Sequence, residues 1–495
     1  MKIIHPFLWI IVLGWATNLS AADNIVLFVT DDESPTLGCY GDSIAKTPNV
    51  DAMAAEGVTF TNAMATTASC SASRSVILTG LHNHANGQYG HQHHFHKFNT
   101  YHDVISLSLP FVLSQHGYRT ARIGKFHVGP EKVYPFETKL EANVRNPVQM
   151  ADACKNFISS KNDDRPFFLY FATSDPHRSG AVNRRSQSDF KPNLFGNKPN
   201  RAPHFDVDEV YYEPQQMVVP PFLPNTKACR EELAQYYQSV ARVDQGLGRL
   251  IKILKEANLY ENTLILFTSD HGMAFPGAKT NVYEPALHVP LVVKPTSENR
   301  RGVLCEALVS HTDITPTLVD FAGALDKDRD GPANWVNPNH FWQSRNEDVH
   351  DNRAGGNVFR SYHGKSWLGL LQDESGVHRE EVFASHTFHE IQMYYPMRAL
   401  RDRRYKLIWN IAHKLEFPFA TDLLESSTWQ TQLKKGVNAN YASRSIREYL
   451  KRPEFEFYDL KNDPNESKNL TSQPGYAEKL EEYKRRIRRF QSETN

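Results

Sequence analysis

Residues 24–32, with the sequence NIVLFVTDD, decide the fold. An unbroken run of apolar, largely β-branched side chains comes first, and two aspartates follow directly. Such a run, without polar alternation, is typical of a strand that is buried on both faces of a parallel sheet. The stretch therefore predicts an α/β protein with acidic side chains at the carboxyl end of a central strand.

Similar runs recur along the chain and alternate with helical patterns. The predicted strands are residues 118–124, 166–172, 263–268 and 289–293, and the predicted helices are 50–56, 106–117 and 231–257. This alternation indicates a mostly parallel central sheet flanked by helices. The polar segments at about 175–225 and 325–365 have little periodicity, and we expect them to be long excursions over a cleft.

After about residue 380 the pattern changes to short strands followed by a charged helix. The strands are predicted at 381–385, 397–401, 405–409 and 455–460, and the helix at 477–490. This pattern predicts a smaller C-terminal α+β subdomain that contains a short antiparallel sheet. The predicted organisation is a signal peptide over 1–22, a main α/β domain over 23–375 and the subdomain over 376–495.

The N-terminus has the features of a secretory signal peptide. Lys2 precedes the apolar run 7–16, and small residues at 20–22 provide a cleavage site. The alternative is an uncleaved membrane anchor, but the run is short for a span. We therefore expect an exported protein without membrane contact after cleavage. Beyond the signal, the few N-x-S/T sequons, at Asn465 and Asn469, favour a bacterial periplasm over a eukaryotic secretory route. The same export signal could serve a periplasm, an outside medium or, in a eukaryote, a lysosome.

Charge and cysteine content argue against several classes of protein. There are 56 Lys plus Arg and 56 Asp plus Glu, so the net charge does not favour a nucleic-acid partner. A net charge of zero still allows a locally basic cleft for an anionic substrate. The cysteines form no CxxC pair, which argues against a structural zinc site. Their odd number leaves at least one free or modified thiol among Cys39, Cys70, Cys154, Cys229 and Cys305.

Two acidic pairs follow separate predicted strands, Asp31-Asp32 and Asp270-His271. Ligands of open α/β sheets bind outside the carboxyl ends of the strands. Carboxylate oxygens there suit a hard divalent cation, although His271 would be an unusual ligand for calcium. Helix capping or turn formation is the alternative role for a single aspartate in such a place.

Three further segments contain side chains that could belong to the site, and two of them suit the binding of an anion. Cys70 lies four residues before Arg74, so it is either a nucleophile with a lowered pKa or a buried small residue. Lys125 and His127 lie in a glycine-bounded loop after a strand, where they could clamp an anion and move a proton, or form a surface turn. The histidine-rich run 91–96 fits no tetrahedral metal site, and we expect it to form a cleft wall.

The segment CSASRSVILTG, residues 70–80, resembles the signature C-x-P/A-x-R-x-x-x-L-T-G of the sulfatase family. The resemblance implies an alkaline-phosphatase-like fold, and a maturation enzyme that oxidises Cys70 to formylglycine. The hydrate of this aldehyde would supply the nucleophilic oxygen. A thiolate would form a stable thiosulfate, whereas a sulfated gem-diol can collapse to the aldehyde and expel sulfate.

The same resemblance assigns roles to the other positions. It implies one Ca²⁺ per monomer, held by Asp31, Asp32, Asp270, His271 and the modified Cys70. The segment GKFH resembles the G-K-x-H motif of the family, in which the lysine binds sulfate and the histidine takes a proton. The segment DPH resembles the motif whose histidine assists the leaving group. The catalytic set that follows is Cys70, Arg74, Lys125, His127, His177 and Lys279.

Within the family the chain looks most similar to the sulfamidase branch, in the segment IGKFHVGPEKVYP (123–135), in DPHR (175–178) and near His389-Glu390. This implies hydrolysis of the N-sulfate of glucosamine at the non-reducing ends of heparan sulfate or heparin-type chains. A homodimer is compatible with this branch. The implied candidates for sugar recognition are Arg178, His386, His389 and Glu390.

Two residues differ from that branch and bear on which sulfate bond is cleaved. His271 occupies a position where sulfamidases have asparagine. Lys279 occupies a position where they have arginine, so the point charge of an ammonium group replaces the planar, two-pronged guanidinium. Three alternatives therefore stay open: an O-sulfatase on another sulfated polysaccharide, a phosphodiesterase or phosphonate hydrolase of the same superfamily, and a binding protein that is never oxidised.

Overall fold

The computed structural model describes residues 23–92, 97–160, 163–178, 191–296, 302–327, 331–332 and 361–494. The predicted signal peptide and parts of both predicted polar excursions lie outside these ranges. The described chain contains an eight-stranded sheet, a four-stranded sheet and two two-stranded sheets.

The central sheet has the strand order β4-β3-β5-β1-β6-β7-β2-β8. All its neighbouring pairs are parallel except those of β7, which runs antiparallel to β6 and β2. The predicted, mostly parallel sheet is thus confirmed. Its strands are β1 Asn24–Thr30, β2 Val58–Met64, β3 Arg119–Gly124, β4 Thr138–Leu140, β5 Phe167–Ala172, β6 Thr263–Ser269, β7 Leu291–Lys294 and β8 Val303–Ser310.

Strand β1 shows why its sequence is apolar at every position. Val26 and Phe28 pack into the core on one face of the sheet, whereas Ile25, Leu27 and Val29 pack into the core on the other. Because side chains alternate along a strand, helices on both faces require an unbroken apolar run. The strand is therefore fixed in the middle of the domain, and the two aspartates that follow it are held with it.

Helices cover the sheet, and the longest of them, α7, spans 30 residues. None of the helices in the described ranges is long and apolar enough to cross a membrane. The helices are α1 Pro48–Ala55, α2 Cys70–Thr79, α3 Asn83–Asn86, α4 Leu109–Gln115, α5 Pro147–Ala153, α6 Lys155–Ile158, α7 Lys227–Glu256, α8 Glu284–Leu287, α9 Ile314–Phe321, α10 Thr421–Leu424, α11 Ser427–Leu433, α12 Ile446–Leu450 and α13 Ala477–Thr494.

The helix predicted over 106–117 is present but shorter, over Leu109–Gln115. The structure has a 3₁₀ helix at His102–Leu107, an extended Ser108 and then α4. Pro110 lies in the first turn of α4, where its missing N–H costs nothing. A new helix therefore begins at this proline, whereas the spacing of apolar residues alone predicts one continuous helix.

The C-terminal region forms the predicted antiparallel sheet, in the order β11-β12-β13-β16. Helix α13 packs Leu480, Tyr483 and Ile487 against Leu400 and Leu407 of this sheet. The remaining strands are β9 Leu325–Asp326, β10 Gly331–Pro332, β11 Glu381–His386, β12 Met397–Asp402, β13 Tyr405–Asn410, β14 Asn440–Tyr441, β15 Arg444–Ser445 and β16 Phe455–Asp459.

Candidate active site

Four neighbouring strands carry the predicted site residues beyond their carboxyl ends. The strands β3, β5, β1 and β6 are adjacent in the sheet. Lys125 follows β3, Asp31 and Asp32 follow β1, and Asp270 follows β6 directly. Because these strands are parallel, their ends meet along one edge, where α/β proteins bind ligands.

Helix α2 brings Cys70 to this edge at its first residue, and the whole helix is buried. Its end is fixed by Gly80, which has a φ of 65° and donates its N–H to the carbonyl of Val76. A Cβ at this position would lie 2.7 Å from the ring of Tyr362. The glycine that closes the signature segment thus permits both the left-handed cap and the close packing that hold α2 in place.

Four side chains converge into a candidate metal centre. Ligand atoms of Asp32, Cys70, Asp270 and His271 all lie within 4.8 Å of one another. The Sγ of Cys70 is 3.7 Å from Oδ1 of Asp32 and 3.4 Å from Nε2 of His271. Four of the five residues predicted as metal ligands therefore face each other, and all four are buried.

The hydrogen bonding of His271 fits a cation at this point. Its Nδ1 lies 3.0 Å from the carbonyl oxygen of Gly272, which can only accept, so Nδ1 carries a proton and Nε2 is the nitrogen that faces the other site residues. That nitrogen lies 3.1 Å from Oδ1 of Asp32. The set of buried carboxylates and one inward-facing imidazole nitrogen has the oxygen and nitrogen donors that a divalent cation takes.

The fifth predicted ligand, Asp31, is oriented by two cations. Lys125 Nζ lies 2.5 Å from Oδ2 of Asp31, and Arg74 lies 3.1 Å from its Oδ1. Arg74 also lies 3.0 Å from Oδ2 of Asp270. Burial raises the pKa of Asp31, but Lys125 is the chief cation that holds it well below its usual range. The carboxylate is thus ionised and placed beside the candidate metal centre.

Lys279 is almost fully buried and has three polar partners. Its Nζ donates to Oδ2 of Asp32 at 2.9 Å, to Oδ2 of Asp422 at 3.0 Å and to Nε2 of His177 at 2.9 Å. Burial alone would lower the pKa of Lys279, but the two carboxylates raise it well above its usual value. Lys279 is therefore a fixed positive charge beside His177.

His177 is held in one tautomer. Its Nδ1 donates to the carbonyl oxygen of Arg178 at 2.5 Å, so Nε2 faces the site as an acceptor. Burial, together with the charge of Lys279, lowers the pKa of His177 to about 4. The imidazole is accordingly neutral at physiological pH, with its bare nitrogen directed at the ammonium group of Lys279.

His127 and His91 lie beside Cys70. Ligand atoms of these three residues lie within 4.8 Å of one another, and the two imidazole rings are 4.8 Å apart. The ring of His91 also contacts that of His389, with centroids 3.7 Å apart. The structure thus places the first histidine of the 91–96 run in the wall of the site, as predicted, whereas residues 93–96 lie outside the described ranges.

The predicted sugar-recognition residues have different locations. The side chains of His389 and Glu390 group with His91 beside the site, and Nδ1 of His389 lies 3.2 Å from the hydroxyl of Ser69. His386 is buried on β11 with 2% of its surface exposed. These three residues stay candidates for substrate contact.

Arg178 is a correction to that set, because its side chain has no exposed surface. Its guanidinium pairs with Glu232 at 2.8 Å, donates to the carbonyl of Ala274 and lies over the rings of Phe195 and Phe275. The guanidinium therefore bonds to protein groups in the interior and has no surface that faces the cleft. Its carbonyl, which fixes the tautomer of His177, is the part that touches the site.

Sequence reasoning missed Asp422, the second carboxylate partner of Lys279. It lies in α10 and is 143 residues from Lys279 in the chain. No motif or strand end marks this position, so no signal in a single sequence points to it. The C-terminal region therefore contributes a charged side chain to the site.

Comparisons with known proteins show which family the sequence resembles over most of its length. A family model described as Sulfatase matches residues 23–324. The N-sulphoglucosamine sulphohydrolase of Homo sapiens is 36% identical over 487 residues, which cover 95% of this chain and 90% of the relative. An ulvan-active sulfatase of Formosa agariphila is 27% identical over 470 residues, which cover 93% of this chain and 78% of that relative.

Solved structures share the fold. A protein in complex with its substrate D-glucosamine-2-N,6-O-disulfate has a TM-score of 0.62 and 20% identity, over 96% of this chain and 98% of that chain. A phosphonate monoester hydrolase of Agrobacterium radiobacter has a TM-score of 0.60 and 18% identity, over 96% of each chain. At these identities the likeness concerns the fold alone, and it confirms the predicted fold class.

Proposed function

The chain belongs to the sulfatase family and is a hydrolase of sulfate ester or sulfamate bonds, and from this premise we propose that it removes the N-sulfate of glucosamine. The proposed substrates are the non-reducing ends of heparan sulfate or heparin-type chains. The observation that carries the sulfatase chemistry is the convergence around Cys70 of buried carboxylates, three cations and three histidines. The preference for N-sulfate rests on the 36% identity to an N-sulphoglucosamine sulphohydrolase over 95% of this chain.

Two groups that the family implies fit the residues present. Asp31, Asp32, Asp270 and His271 would hold one Ca²⁺, which when bound supplies positive charge for sulfuryl oxygens and for an attacking hydroxyl. Cys70, once oxidised by a maturation enzyme to formylglycine, would supply that hydroxyl from its hydrate. Burial raises the pKa of the unmodified Cys70 thiol well above its usual value, so the thiol itself is a poor nucleophile.

The cations of the site would bind and orient the sulfuryl group. Lys125 contacts Asp31 and Lys279 contacts Asp32, so both ammonium groups lie beside the carboxylates next to residue 70, where the sulfuryl group would bind. Fixed charges in a buried site need no reorganisation as charge develops on the sulfuryl oxygens. Arg74, which spans Asp31 and Asp270, would keep the carboxylates in place.

The two histidines would handle protons on opposite sides of sulfur. His127 lies beside residue 70 and would take the proton of the second hydroxyl when sulfate leaves. On the other side, the bare Nε2 of His177 would accept the N–H of the sulfamate. The proton that the attacking hydroxyl releases would pass to the departing amine, which avoids expulsion of an anionic nitrogen.

A desulfation panel tests the proposal. The mature, oxidised enzyme is offered glucosamine derivatives that carry a single sulfate at N, at O-6 or at O-2 of a linked uronate, and free sulfate is measured. We expect turnover of the N-sulfated sugar above all others. Turnover of an O-sulfated sugar without N-desulfation would overturn the assignment of the bond, and activity on phosphonate or phosphate esters alone would overturn the sulfatase chemistry.

Export and metal identity are proposed on the same basis. The N-terminal segment supports a periplasmic or secreted location. Removal of the metal by EGTA should abolish turnover, and Ca²⁺ should restore it better than Mg²⁺, because a site with several carboxylates and an imidazole is poorly matched to the strict octahedron of Mg²⁺. Unchanged activity after chelation, with metal analysis showing an empty protein, would contradict the role of the cation.

A further inference from the structure

A second basic pocket lies away from the catalytic residues, between α8 and the turn that joins β12 to β13. Its volume is about 510 Å³. Four cationic side chains line it, and the acidic residue among its lining is Glu284. The lining cations are Arg401, Arg403, Arg404 and Lys461.

Arg401 forms the buried part of this pocket, with 9% of its surface exposed. Its Nη2 lies 3.3 Å from Oδ1 of Asn62 and 3.4 Å from Oε2 of Glu284. Its Nε and Nη1 are buried and have no hydrogen-bond partner among the described residues. A buried guanidinium with two unpaired donors is costly, so its charge is only partly compensated within the protein.

The carboxylates near the pocket are already shared among cations. Glu284 also pairs with Lys406 at 3.1 Å, and Lys406 pairs with Glu466 at 2.9 Å. Burial would raise the pKa of Glu284, but Arg401 and Lys406 bring it to about 2, so this carboxylate is ionised and fully used.

At the rim, Arg404 pairs with Asp459 at 3.0 Å. Arg403 and Lys461 are exposed and form no ion pair with any residue that the structure describes. The same turns also contain Asp402 and Asp463, whose carboxylates accept from nearby backbone N–H groups and a serine hydroxyl rather than from Arg403 or Lys461. Arg403 and Lys461 are therefore the lining cations without a carboxylate partner among the described residues.

We infer that this pocket binds a sulfate group of the polysaccharide chain, as a secondary site separate from the catalytic centre. Guanidinium groups match the oxygen geometry of sulfate, and an uncompensated cluster attracts a polyanion. The inference rests on the proposed function for the nature of the chain. Arg401 lies four residues along β12 from Met397, which pairs with His386, so the pocket is about 13 Å from that end of the strand at 3.3 Å per residue.

Such a site would distinguish long substrates from short ones. A monosaccharide reaches the catalytic centre alone, whereas a longer chain could place a second sulfate in the pocket. Two linked contacts raise affinity beyond that of either contact. The pocket would thus lower KM for oligosaccharides and leave KM for N-sulfoglucosamine itself unchanged.

The test uses the full-length protein with Cys70→Ala, so that binding is measured without turnover. A heparin hexasaccharide and N-sulfoglucosamine are titrated by calorimetry into this protein and into versions that also carry Arg403→Glu and Lys461→Glu. The matched control carries Lys414→Glu and Lys435→Glu, which are exposed residues outside the pocket and change the net charge equally. We expect the pocket variant to bind the hexasaccharide about tenfold more weakly, while the control and the monosaccharide affinities do not change.

Each other outcome overturns the inference. Equal losses in the pocket variant and the control would show a general charge effect, and no loss would show that the chain does not use the pocket. If inorganic sulfate or phosphate, titrated alone, bound the pocket as tightly as the hexasaccharide, the pocket would be a small-anion site. The result is independent of the desulfation panel, because chain binding is read in a protein that does not turn over.

Discussion

The surroundings of Cys70 determine what kind of nucleophile this residue can provide. Its thiol is fully buried among carboxylates, and burial chiefly raises its pKa well above the usual value. A reactive cysteine requires the opposite shift. The sequence left a nucleophile with a lowered pKa and a buried small residue as alternatives, and the structure opposes the first of them. Oxidation to the aldehyde removes the difficulty, because the nucleophile is then an oxygen.

The first prediction concerns this modification. Protein made together with a formylglycine-generating enzyme should show the aldehyde at position 70 by peptide mass spectrometry and should be active. Protein made without oxidation and the variant Cys70→Ala should both be folded and inactive. The peptide that contains the buried Cys154 provides the control, since its thiol should stay unmodified. Turnover by Cys70→Ala would contradict the assigned nucleophile.

Asp422 supports a second prediction at the same scale. Its carboxylate is the second acidic partner of Lys279, on the same side of the ammonium group as Asp32, and its side chain is 10% exposed. Asp422→Asn keeps the shape and removes the charge, so Lys279 should shift towards Asp32. We expect kcat to fall about 10- to 100-fold with a smaller change in KM, as for other residues that orient a catalytic group.

Two further variants separate this role from a general effect on stability. Asp422→Glu should recover part of kcat, whereas Glu425→Gln, an exposed neutralisation at the end of the same short helix, should leave kcat unchanged. Melting temperatures are measured for all three variants. A loss of kcat in Asp422→Asn that follows a lowered melting temperature, without rescue by glutamate, would contradict the positioning role.

At the scale of elements, the sequence predicts best where one physical rule dominates. The buried strands β1, β5 and β6 follow from unbroken apolar runs, and α7 follows from its amphipathic period. The antiparallel direction of β7 does not follow, because pairing depends on partners far along the chain. Pro110 is a local sequence signal for the break before α4, but the regular spacing of apolar residues suggested an uninterrupted helix.

Arg178 illustrates the same limit for a site residue. Its position directly after the DPH motif indicates substrate contact, but the side chain turns inward between α7 and the loop that carries Ala274. Whether a charged side chain faces the cleft or the core is decided by a distant partner. Here that partner is Glu232 on α7, which also accepts from the N-terminus of α11.

The third prediction follows from this buried pair. Arg178→Ala leaves Glu232 charged and without its main cation, which should cost about 3–5 kcal/mol of the free energy of unfolding. The measurement is the midpoint of urea unfolding, with KM for the substrate determined in parallel. Lys227→Ala, at an exposed position of the same helix, should change stability by at most about 0.5 kcal/mol. A stable Arg178→Ala protein with a greatly raised KM would restore the predicted sugar contact.

For the whole molecule, side chains of the C-terminal region pack around the segment that carries Lys279. The hydroxyl of Tyr449 accepts from the N–H of Gly277, and the hydroxyl of Tyr441 donates to the carbonyl of Pro276. Asp422 reaches Lys279 from the same C-terminal region. The sequence predicts both sheets but not this interface, because no periodic pattern encodes which surfaces of two units pack together. The division at residue 376 between the main domain and the C-terminal subdomain stays a prediction.

A second contact between the two regions involves buried histidines. The rings of His82 and His84 lie against Phe490 of α13 at 4.9 and 5.5 Å, and Nε2 of His84 lies 2.8 Å from the hydroxyl of Thr494. Burial, with a contribution from Arg398, lowers the pKa of His84 to about 3. The imidazole is therefore neutral in the native protein, and its protonation would oppose the docking of α13.

The fourth prediction concerns acid stability. The unfolded chain binds a proton at His84 below about pH 6.5, whereas the native chain does so only near pH 3, so the stability that this residue contributes is complete above pH 6.5 and is lost as the pH falls towards 3. At pH 5 the loss is about 2 kcal/mol. His84→Gln can still bond to Thr494 but does not titrate, so its unfolding midpoint should fall less steeply between pH 7 and pH 5. Thr494→Val removes the hydrogen bond and keeps the imidazole, and it should retain the wild-type slope. Equal slopes for the wild type and His84→Gln would show that this histidine does not couple the helix to pH.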